Sequence, residues 1–133
     1  MPTGLRQDGV WEIGVSRTLP VAIDDAWSFL VSERGLSTWL GPGVRLPGQP
    51  NERFTSADGG AGELRSFHPL ERVRVQWQPA GAEHTTVVQC TVSGRSGRTV
   101  VRFHEEHLAD EVAREQQRAH WRAVMDDVEA ALT

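Results

Sequence analysis

The chain has 133 residues, of which 38% are hydrophobic and 24% are charged, a composition typical of one globular domain. Its net charge of −4 argues against a nucleic-acid partner, which usually binds a strongly basic face. We therefore expect a single domain over residues 1–133, with an ordered core over about residues 10–132.

Missing residue types exclude several kinds of chemistry. The 14 basic residues are all arginine and tyrosine is absent, so neither a Schiff-base lysine nor a tyrosine acid is available. Cys90 is the single cysteine, which excludes an internal disulfide and a multi-cysteine zinc site. No apolar run is long enough to span a bilayer, and the N-terminal residues lack a signal-peptide core. We expect a cytoplasmic protein without metal or cofactor.

The first part of the chain predicts one strand followed by two short helices. Apolar side chains alternate from Trp11 to Leu19, as in a half-buried strand. Asp24 or Asp25 could cap the first helix, Gly35 is expected to interrupt it, and residues 36–40 have the spacing of a second helix. Three prolines between residues 41 and 51 leave room only for a short or edge strand.

The middle of the chain predicts antiparallel strands joined by turns. Apolar and polar residues alternate along most of them, so the sheet should have one buried face and one solvated face. The predicted strands span residues 52–56, 62–67, 72–78, 85–93 and 99–105.

Residues 110–132 change to a helical period. An apolar stripe includes Trp121 and Val128 and predicts an amphipathic helix. Closer to the start of this helix, the same face carries residues that are small or polar, namely Ala113, Gln117 and His120. The change predicts a filled core beside the second half of the helix and a cavity beside the first half.

This order of elements predicts an α+β domain with its helices packed on one face of the sheet. Four strings carry a more specific similarity: Pro20 to Trp27, Leu36 to Pro42, Gly62 to Trp77, and Gly97 to Phe103 followed by the terminal helix with Trp121 and Leu132. In their order and spacing they resemble the SRPBCC (START-like, helix-grip) superfamily. Within it they are most similar to the branch related to the activator of the ninety-kilodalton heat-shock protein ATPase.

The resemblance implies a helix-grip fold, in which a curved antiparallel sheet wraps around a long C-terminal helix and two short helices follow the first strand. Members of the superfamily are similar in enclosing an apolar cavity between sheet and helix, and they include lipid carriers, hormone receptors and polyketide cyclases. The eukaryotic co-chaperone carries an additional N-terminal domain. This chain starts almost directly at its first strand, which weakens the expectation of a chaperone-activating role.

The candidate site is a ligand cavity between the sheet and the terminal helix. Apolar walls would supply affinity, while Glu105, Gln117 and His120 would orient the ligand. The expected lining residues are Trp39, Trp77, Val88, Cys90, Val101, Phe103, Glu105, Ala113, Gln117, His120 and Trp121.

Two of these residues are candidates for acid–base catalysis. Glu105 shares a strand face with Phe103, so it either points into the cavity as a general acid or base or lies at the rim of the sheet. His120 either contacts a ligand or flanks the core. His104 and His107 point to opposite faces of a strand, so no metal site is predicted from them.

Three functions remain open. The first is a small-molecule-binding domain for a hydrophobic or aromatic ligand. The second is a cyclase or dehydratase acting on a polyketide-like substrate. The third is a protein-interaction or chaperone-regulator module that uses the outer sheet face with Arg72, Arg74 and Arg102. We expect a monomer or homodimer without a membrane span.

Overall fold

A computed structural model describes residues 3–133 of the chain. It contains six strands and three helices: β1 (Trp11–Leu19), α1 (Ile23–Leu30), α2 (Glu33–Trp39), β2 (Arg53–Thr55), β3 (Ala61–His68), β4 (Arg72–Gln78), β5 (Thr86–Arg95), β6 (Arg98–Leu108) and α3 (Glu111–Leu132). None of these helices is long and apolar enough to cross a membrane.

The strands form one antiparallel sheet in the order β1-β6-β5-β4-β3-β2. Helix α3 packs against β1 and β6 on the buried face of the sheet. Val124, Met125 and Val128 fill the space between helix and sheet, as the apolar stripe predicts. The predicted α+β helix-grip fold is confirmed.

The start of α1 differs from the prediction. Ala22 is the N-cap residue and makes no side-chain capping hydrogen bond, while Asp24 and Asp25 lie inside the first turn. Their charges can still interact favourably with the positive end of the helix, but neither residue is the cap.

Gly35 does not interrupt a helix, as the sequence suggested, but lies buried within α2. Ser32 caps this helix and its hydroxyl accepts a hydrogen bond from the Gly35 amide at 3.1 Å. A Cβ atom on residue 35 would stand 1.8 Å from the Phe29 carbonyl oxygen. Glycine is therefore required by the close approach of α1 and α2, which a single-sequence rule for helix breakers cannot detect.

No strand forms between residues 41 and 51, although a short one was considered possible. This segment carries three prolines, which cannot donate to a strand ladder, and it is held instead by Val44, which is fully buried in the core. The Ala57 amide donates to the Pro42 carbonyl oxygen at 2.7 Å, which ties the segment to the end of β2.

We predict that Gly35→Ala lowers the free energy of unfolding by about 2–3 kcal/mol, because the methyl group overlaps a backbone atom that cannot move away freely. Gly48→Ala is the matched control, since a Cβ there meets no atom within 4 Å, and its effect should stay within about 0.5 kcal/mol. Urea unfolding measures both. Equal stabilities of the two variants would contradict the close packing of α1 on α2.

Candidate functional site

A cavity of about 210 Å³ lies between the buried face of the sheet and the first half of α3. Strands β4, β5 and β6 form one wall, α3 forms the opposite wall, and the end of α2 closes one side. The lining residues are Trp39, Leu40, Trp77, Pro79, Val88, Glu105, Gln117, His120 and Trp121. The cavity thus begins where the helix face changes from apolar to polar.

Glu105 is the buried charge of this cavity and is 3% exposed. Alternation along β6 places it on the inner face, two residues beyond Phe103. Its Oε1 atom accepts hydrogen bonds from Gln117 Nε2 at 2.8 Å and from Trp121 Nε1 at 2.9 Å. Its Oε2 atom accepts one from Thr86 Oγ1 at 2.6 Å. The carboxylate therefore joins two strands to the terminal helix.

The aromatic side chains at the inner end of the cavity, Trp39 and Trp121, pack against the buried ring of Phe103 behind them. The rings of Phe103 and Trp121 stack with their centroids 5.0 Å apart, and Trp39 lies 5.8 Å from Phe103. The Trp39 indole N–H donates to the Leu30 carbonyl oxygen at 2.9 Å, which fixes its orientation. Because these rings are held by stacking and hydrogen bonding, the apolar surface is preformed.

A second cavity of about 340 Å³ adjoins the first and shares Pro79, Glu105 and Gln117 with it. It is bounded by the loop between β4 and β5, by the end of β6 and by the first turns of α3. Ala113 lines this outer cavity, as do His84 and His107. Glu105 and Gln117 thus stand at the junction of an inner apolar cavity and an outer, more polar one.

His120 lies at the exposed margin of the inner cavity. Its ring makes an edge contact with Trp121, with the centroids 4.8 Å apart. Partial burial lowers the pKa of His120 below its usual value, and the nearby Glu105 charge offsets part of this effect. The imidazole is therefore neutral at pH 7 and offers one donor and one acceptor to a ligand.

Eight of the eleven predicted site residues lie around the two cavities, Ala113 around the outer one only. The structure does not bring Cys90, Val101 and Phe103 to a cavity wall. They point inward as alternation requires, but Trp39 and Trp121 pack in front of Phe103, and the other two residues are buried in the core. Burial also raises the pKa of the Cys90 thiol well above its usual value, which leaves it unreactive.

The sequence analysis missed two residues that line the inner cavity, Leu40 and Pro79, and the hydrogen-bond donor Thr86. It also missed most of the lining of the outer cavity, including His84 and His107. Thr86 lies two residues before Val88 on the same face of β5, so strand alternation could have found it. Leu40 and Pro79 follow the ends of α2 and β4, and their position depends on how these ends meet in three dimensions. No local pattern indicates such a meeting.

Within residues 3–133, no group of three His, Cys, Asp or Glu side chains is arranged to hold a metal ion. His104 lies on the outer sheet face, where its ring nitrogens are 3.4 Å from Glu12 and 3.5 Å from Glu106. Arg74 is also 3.0 Å from Glu106. Arg74, one of the three arginines that were expected to serve an outer interaction face, is thus engaged within the molecule.

A larger groove of about 520 Å³ lies elsewhere, between α2, the segment around residues 44–50, and β3. Its two charged residues, Glu33 and Arg45, are exposed and 3.6 Å apart. No buried polar group comparable to Glu105 lines it, so we regard the cavity between sheet and α3 as the better candidate for specific recognition.

No family model and no curated protein matches the chain, whereas many solved structures do. CalU16 from Micromonospora echinospora matches 96% of this chain and 69% of its own, with a TM-score of 0.79 and 16% identity. DynU16, from the dynemicin biosynthetic locus, matches 91% of this chain with a TM-score of 0.75 and 18% identity. The Aha1 dimer from Colwellia psychrerythraea matches 91% of this chain and 95% of its own, with a TM-score of 0.70 and 15% identity.

These similarities define the class of fold. The chain shares the helix-grip fold of these solved structures, which include an Aha1 dimer. It spans 46% of the length of DynU16. At identities of 15–18% the likeness concerns the fold, and a function has to be argued from this chain's own site.

We predict that the NMR titration midpoint of His120 lies below that of a histidine in an unfolded peptide, because burial disfavours its charged form. Glu105→Gln should lower the midpoint further, since the Glu105 charge favours protonation. His104 is the control, because the charges acting on it come from other residues. An unchanged or higher His120 midpoint in the variant would contradict the site geometry.

Proposed function

We propose that this protein binds a small apolar or aromatic molecule that carries one hydrogen-bond donor. The observation that supports the proposal most strongly is a buried carboxylate, Glu105, at the junction of two cavities. A buried charge is costly unless it is fully paired, so its presence in a pocket lined mostly by apolar side chains favours a binding role.

The hydrogen bonds of Glu105 leave room for one more partner. An ionised carboxylate has about four lone-pair sites. Gln117 and Trp121 use both sites of Oε1, whereas Thr86 uses one site of Oε2. A hydroxyl or N–H group of a ligand in the cavity could donate the second hydrogen bond to Oε2. The site would therefore favour ligands with a hydrogen-bond donor over ligands that carry only acceptors.

The remainder of the cavity supplies apolar contact. Trp39, Trp77 and Val88 are buried side chains that line it, and flat aromatic walls favour a ring-shaped ligand. The outer cavity would hold a polar or solvated end of the molecule. The ligand class is therefore a phenol-like or N–H-bearing aromatic compound, with its donor near the middle of the binding path.

A second candidate function is an enzyme of the cyclase or dehydratase type. Glu105 and His120 line the same cavity. A neutral imidazole can take up a proton from a substrate as general base and return it as imidazolium, and a carboxylate can act in the same way. One structural neighbour, DynU16, comes from the dynemicin biosynthetic locus, which is compatible with an enzymatic role. Retention of turnover in both Glu105→Gln and His120→Ala would rule out these two groups as the acid–base pair.

We predict that 2-naphthol binds at least about ten-fold more tightly than 2-methoxynaphthalene, because only the hydroxyl can donate to Glu105. Binding can be followed by quenching of tryptophan fluorescence, since Trp39, Trp77 and Trp121 line the cavity. Glu105→Gln should remove most of this preference, because a neutral amide is a weaker acceptor than a carboxylate.

Glu106→Gln is the matched control, because the neighbouring residue points to the opposite face of the sheet, where Arg74 binds it. It should leave the naphthol affinity within about two-fold of wild type. Equal affinities of the two naphthalenes for the wild-type protein, or no binding of either, would contradict the proposed donor site without any reliance on a variant.

A further inference from the structure

We propose that the free edge of β1 is a docking site for an extended acidic peptide segment of a partner protein, which would add a strand to the sheet. The inference concerns a surface outside the ligand cavity and does not depend on the proposed function. It rests on the direction of the β1 backbone groups and on arginines that flank this edge from both sides.

Strand β1 lies at the end of the sheet and pairs along its length with β6. The Glu12 amide donates away from β6, to the Gly4 carbonyl oxygen at 2.7 Å, and the Glu12 carbonyl accepts from Arg114 Nε at 2.8 Å. Because backbone groups of alternate residues point to the same side of a strand, those of Gly14 and Ser16 also face this edge. Within residues 3–133 they have no backbone partner.

At its first residues, the edge already makes main-chain contacts with the turn that precedes β1. Leu5 forms a β-bridge with Trp11, next to the hydrogen bond between Gly4 and Glu12. A docked strand would continue this pairing from Gly14 towards Leu19. Main-chain hydrogen bonds of this kind give affinity in strand addition, while side chains determine which sequence is accepted.

On the side of α3, the edge is bordered by a groove of about 450 Å³ that contains Arg118 and Arg122. The Nε atom of Arg118 is buried and has no hydrogen-bond partner in the described chain, residues 3–133; the nearest carboxylate oxygen, on Glu115, is 3.7 Å away. A buried unpaired donor favours an incoming acceptor. Arg17, in contrast, is already paired at 2.8 Å with Asp126 and at 2.8 Å with Glu129.

On the opposite, outer face, Arg102 extends over the same part of the edge. Its Nη2 atom would be 2.6 Å from a Cβ on Gly14, so the guanidinium covers this glycine. Neither Arg102 nor Arg122 lies within 4.0 Å of a carboxylate belonging to the part of the chain that the structure describes. Cationic groups therefore stand above and below the unpaired backbone.

This arrangement specifies the occupant. Successive side chains of a docked strand point to opposite faces, so two adjacent acidic residues would meet Arg102 on one side and Arg118 with Arg122 on the other. A second copy of β1 would instead bring the same arginines against each other, and juxtaposed like charges oppose binding. The edge thus selects an acidic segment over self-association.

The test uses fluorescence anisotropy with a labelled hexapeptide, Thr-Val-Glu-Glu-Val-Thr, at low ionic strength, and the same peptide with glutamine in place of both glutamates. We expect the acidic peptide to bind at least about ten-fold more tightly, because only it pairs with the flanking arginines. The double variant Arg102→Gln with Arg122→Gln should remove most of this difference, because of the three flanking arginines only Arg118, which lies 3.7 Å from Glu115, is then left. Arg45→Gln is the matched control, since Arg45 is 82% exposed at a distant loop.

A peptide N-methylated at alternate amides tests the strand pairing without altering the protein, and it should lose binding when the methylated amides are those facing the edge. Equal binding of the acidic and neutral peptides, or of methylated and unmethylated peptides, would overturn the proposal. The proposal would also be overturned if sedimentation showed a dimer of the wild-type protein and a monomer of the Ser16→Pro variant. A second copy of the chain would then be the occupant of the β1 edge.

Discussion

The carboxylate of Glu105 lies at the junction of β5, β6 and α3, where it is 3% exposed. Leaving such a charge buried and unpaired would cost on the order of several kcal/mol. Donors from Thr86, Gln117 and Trp121 meet it from three different directions. The same hydrogen bonds therefore hold the helix over the sheet at one fixed position and set the size of the cavity beneath it.

The two halves of α3, which meet next to the Glu105 carboxylate, have different roles. The second half packs in the core and contributes to stability, whereas the first half lines the cavities. Beyond Trp121, the helix presents Val124, Met125 and Val128 to the sheet, and all three side chains are buried in the core. Before Trp121, it presents Gln117, and the two cavities open. The boundary between filled core and open cavity is thus the point at which a polar side chain replaces an apolar one on the inward face of the helix.

Much of this arrangement could be predicted from periodicity. Alternation along β6 predicted that Glu105 shares the face of Phe103. The helical period predicted that Gln117 and Trp121 lie on or beside the inward face of α3. Periodicity gives the direction of a side chain but not the depth of packing in front of it, which is why Phe103 was expected at a cavity wall and lies behind Trp121. Gly35 shows the same limit of prediction from periodicity. A side chain at this position would clash with a backbone atom of α1, and nothing in the sequence of α2 indicates that α1 comes so close.

The central claim is that a ligand donor binds the open acceptor site of Glu105. The most direct measurement is a crystal structure of the protein with 2-naphthol. The account predicts the naphthol hydroxyl oxygen at about 2.5–3.0 Å from Glu105 Oε2, with the rings between Trp39 and Trp77. Naphthol bound instead in the groove beside Arg45, with the cavity at Glu105 empty, would contradict it.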